Sequence, residues 1–344
     1  MPRRKSKFKY ILFLIIPAIL AVLWVKIDYE ASKNTPADIN NKETISFFIE
    51  KGESAKKIAA NLEEAGLINK QKYFYWYLRL NNKIPDILAG RFMLSPSMNY
   101  QEIGENISNP QMAEFVITVQ EGLRIRDIDK KLVDMELIEE GAFVSATKTF
   151  SDKENYPFLH IALLSKAELP LEGYLFPDTY FIDPVDFKSE NLIRKMLNNF
   201  KSKVGQDMIR KIDERKITMH DAIIMASILE KEVRTNKDLP LVSGILWKRL
   251  QTAGWTLGAD ATLLYEKDDN KITSADLNSN SPYNTRKFGG LPPGAISNPG
   301  LESIKAAISP TDSPYWFYLT TPDTGEVIYA KTNEEHNINR AKHL

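Results

Sequence analysis

Ile45-Ser-Phe-Phe-Ile-Glu-Lys-Gly-Glu-Ser54 opens a pattern that the chain uses twice. Ile45–Ile49 alternates as a half-buried strand does, and Lys51-Gly52 marks a turn. Ser54 then starts a helix carrying Ile58 and Leu62, with Leu67 and Ile68 following at its exit. Phe115-Val-Ile-Thr-Val119, Glu121-Gly122, Ile128, Leu132, Leu137 and Ile138 repeat each feature at one constant offset. A strand–turn–helix unit used twice is the economical explanation. Between the copies lie an aromatic helix (Tyr73, Phe74, Tyr75, Trp76, Tyr77), a strand at Gly90–Leu94 and a short helix from Tyr100 to Ile107. Residues 44–148 therefore read as a small α+β region.

The first copy resembles a LysM-like module in outline: strand, turn, amphipathic helix, then a Gly-Leu-Ile exit. Modules of that kind bind N-acetylated glycans. On that resemblance the aromatics at 73–77 are a sugar-stacking surface, whereas on packing grounds alone they are core.

Upstream, Arg3, Arg4, Lys5, Lys7 and Lys9 precede an apolar run from Tyr10 to Val25, closed by Lys26. The run is just short of the roughly 20 residues of an ideal membrane span, and flanking Phe8 and Ile27 with snorkelling lysines extend it. No convincing A-x-A cleavage site follows, although a cleaved signal is the alternative. The expectation is a cytoplasmic basic segment at 1–9, a transmembrane anchor at 10–27 and a polar linker at 28–43. The positive-inside bias then sends the rest across the cell membrane, giving a single-pass protein with an extracytoplasmic catalytic part.

Lys+Arg and Asp+Glu both number 45 in 344 residues, so no net charge argues for nucleic acid as partner. There is no cysteine, which excludes thiolate catalysis, disulfides and Cys-bound metal. His160, His220, His336 and His343 lie far apart without ligand spacing, so no metal is expected.

From 149 the texture becomes helical, at 189–203, 218–234 and 239–253, with Pro/Gly-rich loops and a terminal hairpin turning at Pro322-Asp-Thr-Gly325. Loops of this kind on a helical scaffold usually line a cleft. Within the second helix, Met225-Ala-Ser-Ile-Leu-Glu-Lys-Glu-Val233 ends on two carboxylates. At 100° per residue, Ser227, Glu230, Lys231 and Arg234 share a polar flank, while Glu232 falls beside Met225, Ile228 and Leu229. Glu230 is then solvated and Glu232 is a buried acid, because an apolar setting keeps a carboxyl protonated near neutral pH. Read more plainly, the same pattern is a helix end with one awkward glutamate.

The order of motifs resembles the MltG (YceG-like) family of endolytic peptidoglycan transglycosylases over essentially the whole length. The matching pieces after the N-terminal segments are Leu171-Glu-Gly-Tyr-Leu-Phe-Pro-Asp-Thr-Tyr180, Ala226-Ser-Ile-Leu-Glu-Lys-Glu232 and Asp260-Ala-Thr262. Ser281-Pro-Tyr-Asn-Thr285, Gly290-Leu-Pro-Pro-Gly-Ala-Ile296 and Asn298-Pro-Gly300 complete the set. Each is short, but the ordered set is specific. The family's catalytic glutamate falls in the second piece and aligns with Glu232. Val233 departs from the family, where a hydroxyl residue is common, and the chain ends soon after His336-Asn337.

The resemblance implies a YceG-like catalytic domain over 149–344 and cleavage of the MurNAc–GlcNAc β-1,4 bond within nascent strands. The products are 1,6-anhydroMurNAc ends and terminated strand elongation, with no cofactor. Glu232 would serve as acid and then base. Tyr283, Asn284 and Thr285 would bind the acetamido sugars, with Asp260, Thr262 and Glu172 either contributing or holding structure. Peptidoglycan strands and peptidoglycan synthases are the implied partners. Two rivals stand beside this: a non-catalytic wall-binding scaffold, and a hydrolase pairing Glu232 with Asp260 or Glu172.

Overall fold

The computed structural model describes residues 7–159, 164–184, 186–267, 269 and 271–343. They form two compact units: residues up to Ile117 together with Phe181–Asp186, and Thr118–Tyr180 together with Phe187 onward.

The first unit begins with α1 (Lys7–Asn34), a single helix with Pro17 inside it. The transmembrane anchor expected over 10–27 is not upheld, because among the described residues no helix is long and apolar enough to cross a membrane. The single-pass topology, the membrane as partner and the placement derived from the anchor fall with it. How the helix continues supplies the physical reason. It runs on without a break through Lys26, Asp28, Glu30 and Lys33, charges that are costly in hydrocarbon. Its later turns pack onto the unit's own aromatics. Asp28 accepts hydrogen bonds from Lys70 Nζ and Tyr73 OH, each at 2.7 Å, and Tyr29 meets the Tyr73 ring edge-on at 5.8 Å. The basic segment at 1–9 falls largely outside the described residues, as does His160.

Strand β1 (Ile45–Ile49) pairs antiparallel with β2 (Gly90–Leu94), with Phe47 opposite Phe92 and Ile49 opposite Gly90. Between them run α2 (Ala55–Glu64), which Ser54 caps by accepting from Lys57 N at 3.3 Å, and α3 (Gln71–Leu80). A capping box at Asn99 and Glu102 opens α4 (Tyr100–Asn106). The inward face of this β–α–α–β arrangement is Phe47, Ile58, Leu62, Phe74, Tyr77 and Phe92, all buried. The aromatic run is therefore divided by helical phase. Phe74 and Tyr77 are core, whereas Trp76 remains 42% exposed.

The repeat is visible in the chain's geometry. Strand β3 (Phe115–Val119) and α5 (Ile125–Asp134) sit at the same sequence offset from β1 and α2, with the same lengths. Gly52 and Gly122 take the same left-handed turn, at φ 82° and 76°, which only glycine adopts freely. Strand β3 pairs with β4 (Asp178–Ile182), and the division between the units passes through both strands.

In the second unit α6 (Ala142–Thr149) follows α5, and α7 (Ser189–Lys203) and α8 (Gln206–Glu214) lead to α9 (Met219–Glu232). A capping box at Thr218 and Asp221 starts α9, and Val233, extended at φ −124° and ψ 127°, ends it. Ala222–Leu229 are all buried, so α9 is a central helix covered all round and not an amphipathic one. Against it pack α10 (Leu239–Gln251), the short α11 (Asp260–Leu264) and, after a further short helix α12 (Ser274–Asn278), α13 (Leu301–Ile308). The hairpin of β5 (Phe317–Thr320) and β6 (Val327–Ala330), followed by α14 (Asn333–His343), closes the chain.

Candidate active site

Glu232 is the last residue of α9, half-buried, with three elements meeting at it. Its Oε1 accepts from the backbone N–H of Ala261 at 3.2 Å, and its Oε2 from the Tyr318 hydroxyl at 3.2 Å. Its backbone carbonyl accepts from Thr320 Oγ1 at 2.9 Å. Each contact has a local cause. The Ala261 N–H lies in the first turn of α11, where amides lack a helical acceptor. Tyr318 and Thr320 are two apart on β5, so strand pleating puts both on one face.

Burial pushes the Glu232 carboxyl above its ordinary value. The Ala261 amide pulls it back, the nearby Asp260 carboxylate raises it again, and the Tyr318 hydroxyl and Arg249 oppose that; the net direction is upward. Arg249 is a fixed charge. Its Nε and Nη2 donate to the Trp316 carbonyl at 2.8 and 2.6 Å, and its Nη1 donates to that of Leu257 at 2.6 Å. Asp260 is half-exposed and accepts from Arg286 Nε at 2.5 Å, a pair that belongs to the same electrostatic neighbourhood.

The polar-flank expectation for α9 needs correction. Ser227 is fully buried, donating to the Ile224 carbonyl at 2.7 Å and accepting from Ile296 N at 3.0 Å. Glu230 is not simply solvated, since its Oε2 accepts from Gly300 N at 3.0 Å. Burial of Ala222–Leu229 removed the solvent face that the reading gave Ser227, although Lys231 in the last turn is exposed. The Glu232 carboxyl takes its partners from α11 and β5, elements that helix phase cannot foresee.

The other sequence candidates divide. Asp260 lies beside Glu232. Thr262 and Thr285 are buried; Thr262 donates to the Ala259 carbonyl at 2.9 Å, and Thr285 donates to Thr262 Oγ1 at 3.0 Å while accepting from Ala259 N at 3.2 Å. Asn284 is fully buried, donating to the carbonyls of Leu277 and Ser279 at 3.1 Å and accepting from Arg286 N at 3.2 Å. Tyr283 is buried, its ring 4.8 Å from that of Tyr265. These four shape the loops that carry Asp260 and Arg286.

Glu172 builds a separate hub. Both its oxygens accept from Ile125 N at 3.1 Å, Oε1 from Asn298 Nδ2 at 2.9 Å, and Oε2 from Tyr265 OH at 3.4 Å. Asn298 Oδ1 in turn accepts from the amides of Gly173 and Leu175 at 2.9 and 3.0 Å. Burial pushes the Glu172 carboxyl up to about 8, against the pull of those donors.

Sequence reading missed Tyr318, Arg249 and Arg286. For Tyr318 the only signal was its two-residue spacing from Thr320 in an aromatic strand. Arg249 offers no local signal beyond its place near the end of the helix expected over 239–253. Among the described residues no group of three or more His, Asp or Glu could hold a metal ion.

A family model described as the YceG-like family matches residues 47–342. An endolytic murein transglycosylase of Bacillus subtilis is 30% identical over 92% of this chain and 89% of its own length. One from Streptococcus pneumoniae is 28% identical over 96% of this chain and 64% of its own. The crystal structure of a yceG-like protein from Listeria monocytogenes superposes with a TM-score of 0.61 at 31% identity, covering 87% of this chain and 99% of that one.

Proposed function

We propose that this chain, which belongs to the YceG-like family, is an endolytic murein transglycosylase in which Glu232 acts first as acid and then as base. One observation carries the assignment of the residue. Glu232 is a half-buried carboxyl, raised by its surroundings, yet held at both oxygens by donors that steady its ionised form. A group used in both protonation states needs both features.

The protonated carboxyl gives its proton to the oxygen joining MurNAc to GlcNAc as the C1–O bond breaks. The substrate's N-acetyl group and the Glu232 carboxylate then face an oxocarbenium-like centre. As the C6 oxygen of the same muramoyl residue bonds to C1, its proton passes to Glu232, leaving a 1,6-anhydro end and the enzyme as it began. No water is consumed, so one carboxyl suffices where a hydrolase needs two.

Mass spectrometry of uncrosslinked glycan strands treated with the chain tests this. Internal cuts bearing anhydro ends, lost in Glu232→Gln and retained in Glu230→Gln, are expected. Reducing ends would make the enzyme a hydrolase, with Asp260 the neighbouring second carboxylate. Strands bound but uncut would leave a scaffold.

A further inference from the structure

We propose that Tyr318 is the positioning residue of this site: it keeps the Glu232 proton on Oε2 and alternates between accepting from the acid and donating to the base. The inference rests on the reading of Glu232 given above, and geometry supports it. A backbone amide can only donate, so the Ala261 N–H at Oε1 favours leaving that oxygen as the carbonyl of the protonated acid. The proton then resides on Oε2, which faces the Tyr318 hydroxyl at 3.2 Å. A hydroxyl both donates and accepts by rotating, so it suits the carboxylic acid and the carboxylate alike without moving a heavy atom.

The strand that carries Tyr318 is clamped on either side of it. Arg249 holds the Trp316 carbonyl through two N–H groups, and Thr320 Oγ1 ties the strand to the Glu232 carbonyl. The Arg249 guanidinium also lies 5.7 Å from the centre of the Tyr318 ring. The groups that act on Glu232 are Tyr318 from β5, through its hydrogen bond, and the charges of Arg249 from α10 and Asp260 from α11, with Arg286 paired to Asp260. Only Tyr318 among them bonds the carboxyl directly.

The test reads Glu232 with and without turnover. Its carboxyl is followed by 13C NMR in the full chain, assigned by difference against Glu232→Gln, for the unaltered protein and for Tyr318→Phe. The Phe variant should titrate at higher pH, because a donor to the carboxylate has gone. The alkaline limb of strand cutting should move with it, and kcat should fall roughly tenfold with KM little changed. Incorporation of 3-fluorotyrosine at 318, a stronger donor of nearly the same size, should move the titration the other way and does not depend on the Phe variant folding. Thr320→Val, which loosens the same strand, should leave the titration in place.

An unmoved titration in both Tyr318 variants overturns the proposal, as does an equal shift in Thr320→Val. If the unaltered chain cut no strands, the transglycosylase reading would fail while this titration would still decide the role of Tyr318.

Discussion

At the scale of single residues, the carboxyls of Glu232 and Glu172 are both raised by burial, yet they differ in what surrounds them. Glu232 ends a helix where other elements supply one amide and one hydroxyl. Its removal in Glu232→Gln should cut anhydro-end formation by about 100-fold or more, measured as ends released per unit time. Because the proton must be in place to start the reaction, rate should fall as pH rises through the raised pKa. Asp260→Asn removes a carboxylate that pushes that pKa up and frees Arg286 to pull it down, so the alkaline limb should move to lower pH in a rate profile. Glu172 sits among donors that all serve structure. Its folded value of about 8 lies above the ordinary 4.5, so its contribution to stability is complete below the lower figure and lost as pH climbs towards the upper. Urea midpoints should accordingly decline across that window, and Glu172→Gln should flatten the decline. Glu172→Ala, which strands the Ile125 amide and leaves Asn298 Nδ2 with the Leu123 carbonyl alone, should cost roughly 2–5 kcal/mol.

At the scale of elements, helices and strands followed the sequence closely where local pattern decides them. Strand β2, α7 and α10 occupy the stretches that periodicity marked, because their alternation or apolar stripe matches the face they bury. Helix α9 formed where expected, but its environment did not follow from its pattern. Ser227 spends its hydroxyl inside the protein, on Ile224 and Ile296, a use that a polar-flank argument cannot anticipate. Close packing has a sharp test in α10. A Cβ on Gly244 would lie 1.9 Å from the Thr311 carbonyl oxygen, a backbone atom that cannot swing aside. Gly244→Ala should therefore destabilise the second unit by about 3 kcal/mol, despite alanine's better helix propensity, as seen in thermal unfolding.

At the scale of the whole molecule, the chain holds two compact units, each with its own buried side chains. Denaturant unfolding should then depart from a single transition. Phe74→Ala, at a fully buried position in the first unit, should lower one transition by about 3–5 kcal/mol and leave the other in place when both are followed by hydrogen exchange. The sequence by itself determined the duplicated strand–turn–helix unit, most of the helices, the family and the glutamate to test, since these rest on periodicity, turn glycines and short ordered motifs that are local in the chain. It misjudged the apolar N-terminal run, because hydropathy sees the residues from Tyr10 to Val25 but not the docking of Asp28 and Tyr29 onto α3. Only the tertiary structure brought Ala261, Tyr318 and Arg249 to Glu232, from positions between 17 and 86 residues away along the chain. A carboxyl's pKa and its proton's location depend on what lies within a few ångströms in space, and long-range packing alone decides that.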